Sequence, residues 1–237
     1  MRNIERANER GSSDLGWLHS RFSYSFAEYM NPKRMGFGAL RVVNDDIVDP
    51  QSGFPLHHHE QMEIVTVMLS GVLTHEDSMG NKRELKAGEV QAMTAGTGVN
   101  HSEWNHGKVE AVKLLQIWMH PKERALIPSY DQKQFSVSGR ENTFQILAAG
   151  VKKEGALFIH QDAVFARAKL AEGKTVHYVL SDSAHGVFVF VVSGAVTLGD
   201  DALGARDSVE ISGELDVSIS ATEDADILVI EVPLRIS

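Results

Sequence analysis

Cysteine is absent from the 237-residue sequence. Disulfides are therefore excluded as a source of stability, and thiolates are excluded as metal ligands. The redox compartment stays open, with the cytosol as the default expectation. Positive charge is in the minority: 23 Lys and Arg stand against 32 Asp and Glu, a formal net charge of -9. Such a chain repels a phosphate backbone on average, so nucleic acid is not expected as a partner. No apolar run approaches the roughly 20 residues that span a bilayer. The opening stretch MRNIERANERGSSDLG is charged and lacks the apolar segment of a secretory signal. Sustained 3.6-residue periodicity is scarce too, although Phe158 to Leu170 leaves room for a helical turn. The expectation is a soluble cytoplasmic protein with no membrane association.

What is present is a series of short apolar stretches between turn signals. FGALRVV begins at Phe37, MEIVTVMLSGVLTHE at Met62 and AVKLLQIWM at Ala111. VHYVL follows at Val176, VFVFVVSGAVTL at Val187 and ILVIEV at Ile227. These runs are rich in Val, Ile, Leu and Phe and many alternate with polar residues, as half-buried strands do. Ser78-Met79-Gly80-Asn81 and Gly199-Asp200-Asp201 read as hairpin breaks. Many short strands with turns between them predict an all-β sandwich or barrel. An internal repeat decides the organisation: Val67-Met-Leu-Ser-Gly-Val-Leu-Thr74 aligns with Phe190-Val-Val-Ser-Gly-Ala-Val-Thr197. Two antiparallel β-barrels in tandem are expected, over residues 1–132 and 133–237. The segment His120 to Gln134, with Pro121 and Pro128, reads as the linker.

Chemistry concentrates in the first repeat. His57 and His59 are spaced i, i+2, as are His101 and Glu103, and both pairs sit in stretches that read as strand. Side chains alternate faces along a strand, so the members of each pair share a face. Three imidazoles and a carboxylate aimed at one point form a ligand set for a single divalent metal. His58 faces the other way. Glu63 is a competing carboxylate, and His75, His106 and His120, near turns or strand ends, read as solvated surface residues. The second repeat holds His160, His177 and His185 but no His-x-His, and is expected to carry no metal. Ligating histidines must be neutral and the carboxylate ionised, so binding is expected to weaken below about pH 6.

The motif residues resemble the cupin superfamily: His57-His58-His59, Glu63 and Gly71, then Gly88, Gly96, His101 and Asn105, with Thr94 where the family's turn proline would stand. The stretch from HHH through EIVT, GVLTHEDSMGN and AGEVQAMTAGTGVNHSEWN resembles more narrowly the pirin family, in particular bacterial pirins described as quercetin 2,3-dioxygenases. ERANERG, GWLHSRFSYSFAEYMNP and GFGALRVVNDD extend that resemblance from about Glu5 to Trp118. The resemblance implies a bicupin, two barrels of jelly-roll type. It also implies His57, His59, His101 and Glu103 as ligands, with Glu103 doubling as the catalytic base. The metal would be Fe(II) foremost, with Ni, Co, Mn, Cu or Zn as alternatives, and the partners a small aromatic substrate and dioxygen. The implied reaction is oxidative ring opening of a flavonol such as quercetin. A metal-binding regulatory protein with a protein partner, a closed structural zinc site and another cupin chemistry stay open as alternatives.

Overall fold

The computed structural model describes residues 1–235. It is nearly all β, with one 3-10 turn, Val137–Arg140, as the only helical element among the described residues. Among the described residues no helix is long and apolar enough to cross a membrane. The strands of the described residues form two seven-stranded and two four-stranded sheets, which remain four separate sheets with no closed barrel. In the first half the large sheet runs, in spatial order, Ser129–Gln134, Glu89–Thr94, Glu63–Ser70, Val112–Met119, Leu40–Val48, Leu18–Phe22 and Gly11–Asp14. The small sheet facing it runs Ser52–His59, Val99–Asn105, Val72–Asp77 and Lys82–Lys86.

The second half repeats this plan. Its large sheet places Ser208–Ser212, His185–Ser193, Ala225–Pro233 and Val164–Leu170 in the order that Glu89–Thr94, Glu63–Ser70, Val112–Met119 and Leu40–Val48 have in the first. The segment Val164–Leu170 is strand, so the helical turn allowed for in Phe158 to Leu170 does not form; the β-sheet neighbour Ala225–Pro233 takes its hydrogen bonds instead. Ser129–Gln134, read as linker, is an edge strand paired with Glu89–Thr94. The matching edge seat in the second half is taken by the chain's first strand, Arg2–Glu5, paired with Ser208–Ser212. Arg2 binds Asp201 and Glu214 at 3.0 and 2.8 Å, fixing this strand to the far half.

Alternation along the central strands explains where the core lies. Val65 and Val67, Leu115 and Ile117, and Val90 and Ala92 point away from the small sheet. They meet Phe165, Phe188, Phe190, Leu228 and Ile230 of the other half, so the two large sheets share one apolar cluster spanning both halves. The second half has its own apolar interior, including Val189, Val209, Val229 and Ala166. The first half has two smaller clusters instead, one around Leu73, Leu85 and Leu114 and one around Ile64, Met93 and Val99.

The repeated Ser-Gly corner is structural in both halves. Gly71 and Gly194 have φ of 80° and 78°, a left-handed conformation that disfavours a Cβ. A Cβ at Gly194 would stand 2.0 Å from the Asp224 carbonyl oxygen. At Gly80, with φ of 94°, nothing lies within 4 Å. Gly194→Ala is expected to cost about 2–4 kcal/mol, from backbone strain plus overlap, and Gly80→Ala about 1–2 kcal/mol from strain alone. Urea-unfolding midpoints of the two variants measure the difference.

Candidate metal centre

The small sheet of the first half carries the histidine pairs on neighbouring strands. His101 pairs with His57, but Glu103 pairs with Phe54, so the strand Ser52–His59 holds one extra residue between them. This bulge at Pro55 and Leu56 shifts the phase of the strand and turns His57 and His59 inward. Leu56 is pushed out to solvent. The ring centroids of His57, His59 and His101 are 4.4 to 4.8 Å apart. One ligand-capable atom from each lies within 4.8 Å of the others. His58 faces outward, with its Nδ1 3.2 Å from Asn100 Oδ1, as strand alternation predicts.

Glu103 is 2% exposed and belongs to a second group meeting the same 4.8 Å limit, with His101 and His75. His101 is common to both groups, so it is the hinge of the arrangement; the four residues expected from the sequence do not all fall in one group. Glu63 lies elsewhere. It shares the outward phase of Val65, and its Oε2 accepts hydrogen bonds from Thr94 Oγ1 and from the His160 backbone N–H of the other half, each 3.0 Å. Neither group contains a residue of the second half. There His185 is bound to Glu231 at 2.8 Å and His177 to Asp216 at 3.1 Å.

His75 corrects the sequence reading. It is fully buried, not solvated, because Leu73, His75 and Asp77 form the inward face of Val72–Asp77. Its ring stacks on Tyr130 of the edge strand at 4.4 Å. Its Nε2 lies 2.9 Å from Asp77 Oδ2, and its Nδ1 lies 3.4 Å from His101 Nδ1. His120 is half-buried, while His106 is exposed as expected.

The sequence also concealed a polar row. Gln91, Thr66, Gln116 and Asn44 lie side by side across four strands of the large sheet, in register. Thr66 Oγ1 donates to Gln116 Oε1 at 2.8 Å, and Gln116 Nε2 donates to Glu103 Oε2 at 3.0 Å. The equivalent row in the second half is Val209, Val189, Val229 and Ala166. The only signal in the sequence was a polar residue at an inward position of strands otherwise apolar there.

The electrostatics suit a cation. His101 Nε2 and Glu103 Oε1 are buried with no hydrogen-bond partner, a costly state unless something binds there. His57 Nδ1 lies 2.8 Å from the Pro55 carbonyl oxygen, to which it can only donate, leaving Nε2 with a free lone pair. Burial, reinforced by the neighbouring imidazoles, pushes His101 down to about 2 and His59 down to about 4. Both are neutral and ligand-ready at neutral pH. Burial, with help from the Asp46 carboxylate, pushes Glu103 up to about 7. Burial also raises Asp46 to about 7. Three imidazoles and one carboxylate with two orphaned ligand atoms fit a divalent transition metal. A cleft of about 350 Å³ reaches His57, His59 and Glu103, walled by Leu18, Phe22, Phe26, Phe54 and Trp118. Trp118 stands edge-on to His59 at 4.8 Å and Phe26 edge-on to Trp118 at 5.2 Å.

Comparison with known proteins adds lineage to this geometry. Residues 3–119 match the family model described as Pirin, and residues 146–232 match that of the quercetinase C-terminal cupin domain. A protein of Escherichia coli strain K12 named quercetin 2,3-dioxygenase is 40% identical over 232 residues, covering 97% of this chain and 98% of that one. A pirin-like protein of Caulobacter vibrioides is 40% identical over 222 residues, covering 93% and 95%. Among solved structures, the bacterial pirin YhhW of Escherichia coli in complex with nickel(II) superposes with a TM-score of 0.93. It is 38% identical, covering 98% of this chain and 99% of that one.

The raised Glu103 carboxyl sets the pH dependence of metal uptake. Below about 7 the carboxyl holds a proton that a metal must displace, whereas His59 and His101 hold none until far more acid. Apparent Ni(II) or Co(II) affinity is therefore expected to fall by roughly tenfold per pH unit below about 7. The weakening begins about one unit above the onset expected from the sequence alone. Glu103→Gln is expected to bind more weakly and with a shallower dependence between pH 6 and 7, Asp46 being the group left to titrate there. Calorimetric titrations in buffers of different ionisation enthalpy count the proton released.

Proposed function

The chain belongs to the pirin family, and on that premise we propose that it is a metal-dependent dioxygenase of the quercetin 2,3-dioxygenase type. Its substrate is an aromatic heterocycle of flavonol class, opened oxidatively with dioxygen. The observation that carries the reading is the pair of orphaned ligand atoms, His101 Nε2 and Glu103 Oε1, next to the His57 and His59 imidazoles, which with Glu103 line an aromatic-walled cleft. We assign His57, His59, His101 and Glu103 as the residues that hold the metal. Iron(II) is favoured by the mixed imidazole and carboxylate set, with Ni, Co, Mn, Cu and Zn as alternatives. We read residues 1–132 and 133–237 as two cupin units of jelly-roll type, with Arg2–Glu5 lent from the first to the second, and the cytoplasm as the place of action.

A bound divalent metal would supply Lewis acidity, lowering the pKa of an aromatic hydroxyl beside it. The protein's own contributions follow from the geometry. Glu103 accepts the hydroxyl proton, because a carboxylate oxygen that binds a metal keeps a further lone pair. Gln116, itself anchored by Thr66, holds the other oxygen of Glu103 and so directs the free one. Phe22, Phe26, Phe54 and Trp118 present ring faces and edges to a flat aromatic ligand and exclude water from it. Among the described residues the second unit holds no comparable group, and it serves as the packing partner of the first.

The reading is tested by loading the metal-free protein with Fe(II), Ni(II), Co(II), Mn(II) or Cu(II) and following the flavonol absorbance band under air. Turnover with at least one metal is expected; a protein that holds metal yet consumes no flavonol with any of them overturns the proposal. Glu103→Gln is expected to slow turnover by about 10²–10⁴-fold. Trp118→Ala is expected to raise KM by roughly tenfold, the worth of one lost aromatic contact, while leaving metal content unchanged.

A further inference from the structure

His75 and Asp77 form a buried chain with His101 that the reaction outlined above does not use. Asp77 is held by the Ser78–Asn81 turn. Its Oδ1 accepts from the backbone N–H groups of Met79 and Asn81 at 2.9 and 3.1 Å, and its Oδ2 accepts from Asn81 Nδ2 at 2.9 Å. That same Oδ2 lies 2.9 Å from His75 Nε2. An ionised carboxylate can only accept, so His75 Nε2 must carry a proton. In a neutral imidazole this leaves Nδ1 bare. His75 Nδ1 then accepts from His101 Nδ1, 3.4 Å away, which must be the protonated nitrogen of that ring. His101 is thereby fixed with its lone pair on Nε2, the buried atom that has no partner.

We propose that Asp77 and His75 are positioning residues that lock His101 in the Nδ1–H tautomer and orientation in which Nε2 is offered to the metal. The inference deepens the metal assignment above and rests on His101 being a ligand. Metal-bound histidines commonly donate their second N–H to a carboxylate or carbonyl, which raises the ligand's basicity. Here one imidazole is interposed between ligand and carboxylate. The geometry is rigid at each link: Asp77 by its turn, His75 by the stacked Tyr130 ring on one side and zero exposure overall. His75 is not needed as a shape filler alone, since an aromatic ring of similar size would stack equally on Tyr130.

Two measurements test the lock. In the metal-free protein, long-range proton–nitrogen correlation spectra of the imidazoles are expected to show His101 protonated on Nδ1 and His75 on Nε2. His101 protonated on Nε2 overturns the proposal. For the metal, Co(II) is the probe. His75→Phe keeps the stack but removes the acceptor, and is expected to bind Co(II) on the order of 10–100-fold more weakly with shifted ligand-field bands. His75→Gln, whose amide oxygen can accept from His101 Nδ1, is expected to recover part of the affinity and the parent spectrum. Unchanged Co(II) affinity and spectrum in His75→Phe overturn the proposal. So does a His75→Gln variant as impaired as His75→Phe, because restoring the acceptor would then not restore the site. The tautomers are read without metal, so an unsubstituted protein that binds no Co(II) counts against the metal assignment and not against the lock.

Discussion

The face-to-face packing of the two seven-stranded sheets is the constraint on which the site depends. One apolar cluster, drawn from both halves, takes up the outward faces of the central strands. Burial of apolar surface at about 25 cal/mol per Å² is the dominant favourable term in folding, and this interface supplies much of it. The interior of the first half is thereby released from serving as a hydrophobic core. It keeps only two small apolar clusters at its edges. Between them lies room for imidazoles, carboxylates and amides that a self-sufficient barrel of this size could ill tolerate.

The two halves show how small the difference between core and site can be. A single cross-sheet row reads Gln91, Thr66, Gln116, Asn44 in one and Val209, Val189, Val229, Ala166 in the other. The backbone frame is the same. The row determines whether the carboxylate arriving from the small sheet finds a hydrogen-bond partner or an apolar wall. Glu103, Asp46 and Glu63 are all driven up to about 7 by burial. Such shifts cluster at functional sites: Glu103 lies in one of the ligand groups, whereas Glu63 links the two halves through the His160 backbone. Function here resides in side chains grafted on a duplicated scaffold.

Strand alternation made part of this legible in advance. It placed His57 and His59 together, set His58 apart and grouped His101 with Glu103. It failed where regularity fails. The bulge at Pro55 and Leu56, which brings His57 into phase with His101, is marked in the sequence only by Pro55, a residue that strands admit at edges and bulges. Proximity to a turn suggests a solvated His75, but its phase decides: it alternates with Leu73 and Asp77 and so faces inward. Glu63 was open as a competitor until its phase was tied to Val65 and Val67, which face the other half. The polar row could be found only once register joined residues from four strands. The edge strand Ser129–Gln134 looked like linker because strands with solvent on one side carry little apolar pattern.

The seat taken by Arg2–Glu5 has a consequence for how the molecule can be assembled and altered. Arg2–Glu5 completes a sheet whose other members, Ser208–Ser212 among them, belong to the second half and lie far along the sequence. Such a contact of long sequence separation forms late and slows folding. The duplication is therefore not modular. A fragment cut between the repeats would leave Ser208–Ser212 with an unpaired edge, ready to recruit a strand from another molecule. The two halves can diverge in chemistry, as their interiors have, but the crossing strand ties them into one heritable unit.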